Sequence, residues 1–462
     1  MTELLAYLGL ALGVASLIVM ALRGFNILLA VLIASLIVAL SNQLGVARTL
    51  LEYFPAGPLG AFTFAGQFFV LFLSGAIFGK VMATGGAAAA IAQMVIARLG
   101  SRRVLLVTIL VSALLTYGGV VLFVVIFTMY PLGIALMREA NLPKRLFCGA
   151  LALGAGTFTM TALPGTPSVQ NVIAASALGT DLFAGALLGL AAGLTMFLLG
   201  WWYLERQWQR ARAAGEGFVS NSQDAAMEAL APKSDTLPRG SLATLPPLIV
   251  LATILLPRLI LWFSADGEAL VTSWGLLQFA TGQPILWPSL ALLMGTSACV
   301  LVFPRLRQSL AVTLGEGAND SIMPLLNTAA VIGFGGVVTQ TAGFAAFAHW
   351  VVSLELPPLL SIAVSVSVVS GTVGSASGGL QIFMQTFAET YLAAGVSAEA
   401  LHRIAAIASG GLDSLPHSGA VIAMLTIMGL RHAEAYRDVF MVTVIVPVVA
   451  TLLAIGLAGW MY

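Results

Sequence analysis

Apolar residues run along this chain in long blocks, and Leu28–Leu40, Leu245–Leu256 and Val442–Leu457 contain no charged side chain. A membrane β-barrel would alternate polar and apolar residues over about ten positions. Continuous blocks of this length predict membrane-crossing helices instead. The pattern predicts ten crossings in two sets of five: roughly 4–22, 25–42, 64–82, 146–178 and 182–203, then 244–263, 285–303, 323–342, 400–430 and 438–460. A polar stretch from Glu205 to Ser241, with Arg206, Arg210, Arg212, Glu216, Asp224, Glu228, Lys233, Asp235 and Arg239, separates the sets. It reads as a linker whose start continues a helix out of the bilayer. The expected organisation is a first membrane repeat over 1–204, with scaffold helices at about 1–82, a cytoplasmic linker over 205–243, and a second repeat over 244–462.

Two blocks, 104–136 and 359–392, begin and end on the same side in this scheme. Their centres are Thr116-Tyr-Gly-Gly-Val and Ser370-Gly-Thr-Val-Gly-Ser-Ala-Ser-Gly-Gly. Each is either a pair of full helices or a re-entrant hairpin. The small residues favour hairpins, because non-helical backbone at membrane depth survives only when buried in protein or lining a wet cavity.

The halves look duplicated. Gly79, Val81, Thr84 and Gly86 recur as Gly336, Val338, Thr341 and Gly343, an offset of 257. Thr116, Gly118, Ile126 and Phe127 recur as Thr372, Gly374, Ile382 and Phe383, an offset of 256, and Leu163-Pro164 recurs as Leu415-Pro416, an offset of 252. Basic clusters at Arg98–Arg103, Arg138–Arg145, Arg206–Arg212, Arg305–Arg307 and Arg431–Arg437 all fall inside if each half crosses five times. That odd count inverts the second half. Arg403 is the exception and is expected on the outer side.

Composition narrows the function. Hydrophobic residues are 59% and charged residues 8%, against about 25% charged in a soluble domain. Net charge is 20 − 19 = +1, which supplies no basic field for nucleic acid. Cys148 and Cys299 are too few for a disulfide or zinc framework and read as small buried hydrophobes. Glu3 stands where a signal peptide would be basic, so Leu4–Leu22 reads as a retained helix. No nucleotide-binding, hydrolase or metalloprotease motif occurs. An enzyme, a cofactor and a bound metal are not expected.

The chemistry concentrates in two interrupted spans. In Gly156–Asn171, Pro164 and Pro167 each remove a backbone donor and Gly165 relaxes the chain between them, so a continuous helix at about 146–178 is not expected. Thr159, Thr161, Thr166, Ser168 and Asn171 add side-chain donors and acceptors, and the N-terminus of the following half-helix favours an anion. The plainer reading is a proline kink satisfied by its neighbours. The matching stretch is Ser409-Gly-Gly-Leu-Asp-Ser-Leu-Pro-His-Ser-Gly419, within the span at about 400–430. Asp413 and His417 are ionisable groups in an apolar setting, where they mark ion pathways; otherwise they are a helix cap and a structural histidine. Ser414 and Ser418 flank them. The hairpin centres supply Thr116, Gly118, Gly119, Ser370, Thr372, Gly374, Ser375, Ser377 and Gly378, which either approach a ligand or pack helices closely. Lys80 is expected to snorkel to the inner interface, and Asp320 to stand at a helix start.

At these residues the sequence resembles the gluconate permease (GntP) family. The resemblance rests on Thr161–Asn171, Tyr117–Phe127, Ser370–Gly379 and Gly411–Gly419, and it spans most of the chain. It implies proton-coupled uptake of a small organic anion such as a sugar acid, hydroxy acid or citrate. The wider ion-transporter superfamily implies a scaffold and a mobile domain, often as a homodimer working as an elevator. The fold class expected is an all-α membrane protein of the bacterial inner membrane: two inverted five-pass repeats with re-entrant hairpins and broken helices. Substrate binding is expected at Thr116, Gly118, Gly119, Thr161, Gly165, Thr166, Ser168, Asn171, Thr372, Gly374, Ser375, Ser377, Ser414 and Ser418, without a buried arginine. Ion coupling is expected at Asp413 and His417, with protons as the cation because both groups titrate. Sodium coupling or cation/proton antiport are the alternatives, and a channel is disfavoured for want of a filter or a ring of charge.

Overall fold

The computed structural model describes residues 2–100, 103–229, 237–264, 266–353 and 356–462; Arg102, Lys233 and Asp235 lie outside the described residues. Every regular element among the described residues is helical. The first half contains α1 (Thr2–Leu22), α2 (Ile27–Ser41), α3 (Ala61–Thr84), α4 (Ala87–Leu99), α5 (Val104–Tyr117), α6 (Leu122–Ala140), α7 (Lys144–Gly156), α8 (Val169–Leu178) and α9 (Ala186–Ala213). The second contains α10 (Leu245–Phe263), α11 (Leu286–Val302), α12 (Leu310–Val338), α13 (Ala342–Ser353), α14 (Pro358–Val373), α15 (Ala376–Ala393), α16 (Ala398–Ser409), α17 (Gly419–Met428) and α18 (His432–Met461).

Element order and packing run in parallel between the halves. α1 packs on α2 as α10 packs on α11; α2 on α12 as α11 on α3; and α3 and α12 lie against each other. These helices form one bundle. A second group holds α5–α9 and α14–α18, joined by α9 against α18. The outward faces of both groups carry bare apolar side chains such as Leu187, Leu194, Leu248 and Trp262, the surface a bilayer covers.

Both blocks with glycine-rich centres fold as helical hairpins, α5–α6 and α14–α15. At 1.5 Å per residue, α5 and α14 reach only about 21 and 24 Å, short of the roughly 30 Å hydrocarbon layer. Close approach sets the second hairpin: a β-carbon on Gly379 would overlap the backbone of Ser370 on the facing helix. Gly379→Ala is therefore expected to lower stability by about 2–3 kcal/mol, the upper end for overpacking. A melting temperature equal to wild type in detergent would show that the hairpin tolerates the added methyl.

One sequence expectation needs correction. α12 begins at Leu310, not near residue 323, so Asp320 lies within a helix rather than at its start. The Lys80 ammonium pairs with Glu316 at 3.0 Å and Asp320 at 3.7 Å across the α3–α12 contact. Arg403, the exception to the inside-positive pattern, is buried. It lies in α16 with no solvent exposure, because backbone carbonyls take up its guanidinium. A further sharp bend, 106° between Gly275–Gly282 and α11, had no sequence expectation.

The linker is docked rather than loose over 216–229. Asp224 is 1% exposed and accepts bonds from Lys144 Nζ at 2.6 Å, Tyr130 Oη at 2.7 Å, the Asn221 amide at 2.9 Å and Ser220 Oγ at 3.0 Å. Glu216 and Glu228 pair with Arg145 and Arg138. These bonds put the linker on the face that carries the Arg138–Arg145 cluster.

Candidate functional site

Both interrupted spans are broken. After α7 the chain makes one short turn, Phe158–Thr161, and then has no regular structure until Val169. Gly165, at φ +77°, takes a conformation closed to most L-residues, and its amide reaches Leu182 O at 2.8 Å. Between α16 and α17 the chain is irregular from Gly410 to Ser418. The two breaks approach each other: a β-carbon on Gly410 would stand 3.0 Å from Thr161 Cγ2.

Each hairpin tip meets the break of its own half. Thr116 Oγ1 donates to Thr159 Oγ1 at 3.0 Å, and Tyr117 Oη donates to Pro164 O at 2.8 Å. In the second half His417 Nε2 lies 3.0 Å from Gly371 O, and Ser367 Oγ donates to Ala408 O at 2.9 Å. Tyr436 Oη donates to Ser414 O, and His432 Nε2 contacts Pro416 O, fixing the second break from α18.

These pieces, together with α1, α3 and α12, line a cavity of about 760 Å3. Four helices begin on its wall. The residues before their first turns, Val121, Ser168, Ser375 and Ser418, all line it. Four positive helix ends therefore lie at the wall of one space. Ser168 and Ser375 accept from their own helices, at 3.4 Å from Asn171 N and 3.2 Å from Gly378 N, whereas Val121 and Ser418 make no side-chain cap.

Of the residues expected to bind substrate, Thr116, Gly119, Ser168, Gly374, Ser375, Ser377, Ser414 and Ser418 line the cavity, as do Asp413 and His417. Gly118, Thr161, Gly165, Thr166, Asn171 and Thr372 are outside its lining. Gly118 turns towards Pro247, and Thr372 Oγ1 bonds its own helix at Val368 O. Asn171 is buried and spends its amide internally, donating to Thr166 O and Leu182 O at 2.9 and 3.0 Å. Asp413 and His417 do not bond each other: Asp413 Oδ1 accepts from Ser414 Oγ at 2.9 Å, and no cation pairs with it among the described residues.

Two residues next to the first break escaped the sequence reading. His402 Nε2 meets Asn171 Oδ1 at 2.9 Å and its Nδ1 meets Thr180 Oγ1 at 2.7 Å. Arg403 donates to Ala184 O, Ala162 O and Leu182 O at 2.9–3.1 Å. This buried arginine faces main-chain carbonyls and not the cavity. Adjacent His402-Arg403 inside an apolar span, with Arg403 already failing the inside-positive pattern, was a usable signal.

Comparison with known proteins agrees with this architecture. The model of the GntP family permeases matches residues 5–458. An uncharacterized transporter, YxjC of Bacillus subtilis (strain 168), is 38% identical over 94% of this chain and 95% of its own. The high-affinity gluconate transporter of Escherichia coli (strain K12) is 25% identical over 67% of this chain and 65% of its own. The crystal structure of the Alcanivorax borkumensis YdaH transporter, described as having an unusual topology, is similar at TM-score 0.52, with 15% identity over 86% of this chain and 87% of that one. Neisseria gonorrhoeae MtrF, from a class of antimetabolite efflux pumps, gives 0.50 with 12% identity over 90% and 83%. Those two likenesses concern the fold alone.

Proposed function

The chain belongs to the GntP permease family and is a multi-pass membrane transporter, and we propose that it takes up a small organic carboxylate, a sugar acid or hydroxy acid, together with protons. The observation that carries this reading is the convergence of four helix N-termini on one cavity. Main-chain N–H groups and hydroxyls there hold a carboxylate without a basic side chain. The gluconate transporter among its relatives supports the same substrate class.

Asp413 supplies the coupling. Its carboxyl lies on the cavity wall with only Ser414 as a side-chain donor. An unpaired carboxylate repels a substrate carboxylate a few ångströms away, so protonating Asp413 and binding the anion favour each other. His417 ties the break to the second hairpin and holds that wall in place. Movement follows from the packing: the α1–α3 and α10–α12 bundle is the static scaffold, and the group carrying both hairpins and both breaks slides against it as an elevator. α9 against α18 and α5–α9 against α14–α18 then form two halves of opposite orientation. The reading also includes a homodimer in the bacterial inner membrane.

Purified protein in liposomes provides the test. An inward proton gradient is expected to drive accumulation of labelled gluconate, and Asp413→Asn to abolish that accumulation. Gradient-driven uptake in the Asp413→Asn protein equal to wild type would remove Asp413 from coupling. Proton efflux driven by a cation gradient, with no organic acid present, would replace the reading with an antiporter.

A further inference from the structure

The cavity reaches towards one face of the molecule and not the other. Val439 lines it and follows Asp438, which pairs with Arg145, itself paired with Glu216 of the docked linker. Met424 lines it one turn before Met428, whose carbonyl accepts from the linker's Asn221. The cavity therefore extends towards the linker side. α9 marks the opposite side. Its 28 residues span about 42 Å and end just before Glu216, so the loop ahead of it, residues 180–184, lies on the far face. No residue of that loop, of α9 or of α10 lines the cavity. On the far face the two packing groups meet through an ion pair: Arg258 Nη1 of α10 donates to Asp181 Oδ2 at 2.7 Å. The pair stands in a crevice of about 50 Å3, walled by Thr180 and Phe183 on one side and by α10, Gln283 and Trp287 on the other. That is room for a few waters and not for a substrate. Gln283 stands in the 106° bend before α11. The other ion pairs among the described residues stay within one group or tie it to the linker.

We propose that the Asp181–Arg258 pair is a latch: it closes the seam between the static bundle and the sliding group on the face opposite the linker, and biases the transporter towards the position open to the linker side. This rests on the sliding-group reading above and adds the contact that sets its resting position. The Asp181 loop is tied to the first break. Leu182 O accepts from the Gly165 amide at 2.8 Å and from Arg403 at 3.1 Å, and Thr180 Oγ1 meets His402 Nδ1 at 2.7 Å. Asp181 Oδ1 accepts from the Phe183 amide at 2.7 Å, which leaves Oδ2 for Arg258. The loop that would lose Arg258 is thus the loop that shapes the first break, so release of the latch and exposure of the cavity to the far face belong to one movement. Sliding one group past the other parts the two charges, and screening removes their attraction beyond a Debye length of about 8 Å. Both side chains are partly exposed, Arg258 at 48% and Asp181 at 35%, and pairs of that kind contribute modestly. The latch therefore biases an equilibrium by about two- to five-fold and leaves both positions populated, as a carrier requires.

Cysteine labelling from each membrane face tests the latch. Ser377→Cys places a thiol on the cavity wall at the second hairpin tip, and Ala226→Cys, exposed on the linker, marks the linker face. Cys148 and Cys299 are buried, and protein without the added thiols gives the background. A membrane-impermeant maleimide is applied to one face at a time, in vesicles of both orientations. Ser377→Cys alone is expected to label mainly from the linker face. Adding Arg258→Gln is expected to raise the rate from the far face about two- to five-fold, and Arg258→Glu, which sets two carboxylates together, to raise it further. High salt is expected to raise far-face labelling where Arg258 is intact and to leave Arg258→Gln unmoved, a response that a merely structural arginine would not give. Far-face rates equal in all three proteins and flat with salt overturn the latch and leave carboxylate uptake, judged by proton-driven gluconate accumulation, standing. The expected labelling without any gluconate accumulation keeps the latch and overturns the substrate reading. Equal labelling from both faces with Arg258 intact overturns the latch and the sliding-group reading together. The salt series on protein with Arg258 intact decides even where a variant fails to fold.

Discussion

Arg403→Met is expected to abolish transport and to lower the stability of the purified protein by roughly 2–5 kcal/mol. The guanidinium holds the carbonyls of Ala162, Leu182 and Ala184 at once, and these belong to the first break and to the loop that packs on it. Ala162 O and Ala184 O are left without this donor, and stranding a buried acceptor costs about 1–3 kcal/mol; Leu182 O keeps the Gly165 amide and Asn171 Nδ2. Methionine fills the space and donates nothing. Removing a desolvated charge offsets part of the loss, which keeps the expected sum below the upper bound. Arg403→Lys separates charge from geometry. A lysine head is a point charge on a flexible stem and does not present a planar fork of five donors, so Arg403→Lys is expected to recover little uptake. The checks are a thermal melt in detergent and labelled gluconate uptake in liposomes. Wild-type uptake by Arg403→Met would mean that the break keeps its shape without this residue.

The second large effect is expected outside the membrane, at the docked linker. Asp224→Ala leaves Lys144, 6% exposed, without its partner and removes the nearer of the two acceptors of Tyr130, leaving Met428 O at 3.1 Å. Breaking a buried pair from one side costs about 3–5 kcal/mol. Asn221, whose amide reaches Met428 O and Gly429 O at the end of α17, then loses its anchor. The linker should detach and become cleavable by protease in the folded protein. Asp224→Asn keeps the shape and two acceptor sites and should lose less. A melt and a protease-resistance pattern identical to wild type for Asp224→Ala would show that the linker is held elsewhere.

The same contact fixes a pH dependence. Burial alone raises the Asp224 carboxyl, but the bonds from Lys144, Tyr130 and the Asn221 amide outweigh it and hold the group below its ordinary value. Glu216 is also lowered, chiefly by its bonds to Arg145. A carboxyl lowered in the folded state contributes stability that is fully present above its unfolded value, about 4, and is lost as pH falls through the folded value. Linker docking should therefore be flat across neutral pH and fail only in acid, and Asp224→Asn should shrink that acid limb.

The two breaks were legible because Pro164, Pro167 and Pro416 sit inside apolar spans with polar neighbours, and no continuous helix accommodates that text. The hairpins were legible from glycine-rich centres in blocks that had to return to their own side. Asp413 and His417 were legible as ionisable groups where lipid should be, yet their partners were not: Ser414 and Gly371 were found only by folding. Asn171 reads as a ligand group from its place in the motif, while its side chain is committed to His402 and two carbonyls. Arg403 misled for a related reason, since a positive residue at a span end is indistinguishable in one dimension from one that turns inward to cap broken backbone.

The sequence by itself determined that the chain crosses a membrane and where two of its spans break. Those follow from local facts: apolar run length, proline without an N–H, and glycine without a side chain. Only the tertiary structure decided that four helix ends lie at one cavity, that Arg258 reaches Asp181 across the two groups, and that Arg403 and Asp224 are buried. Those depend on which distant segments supply, or withhold, the donors and acceptors that a buried polar group requires.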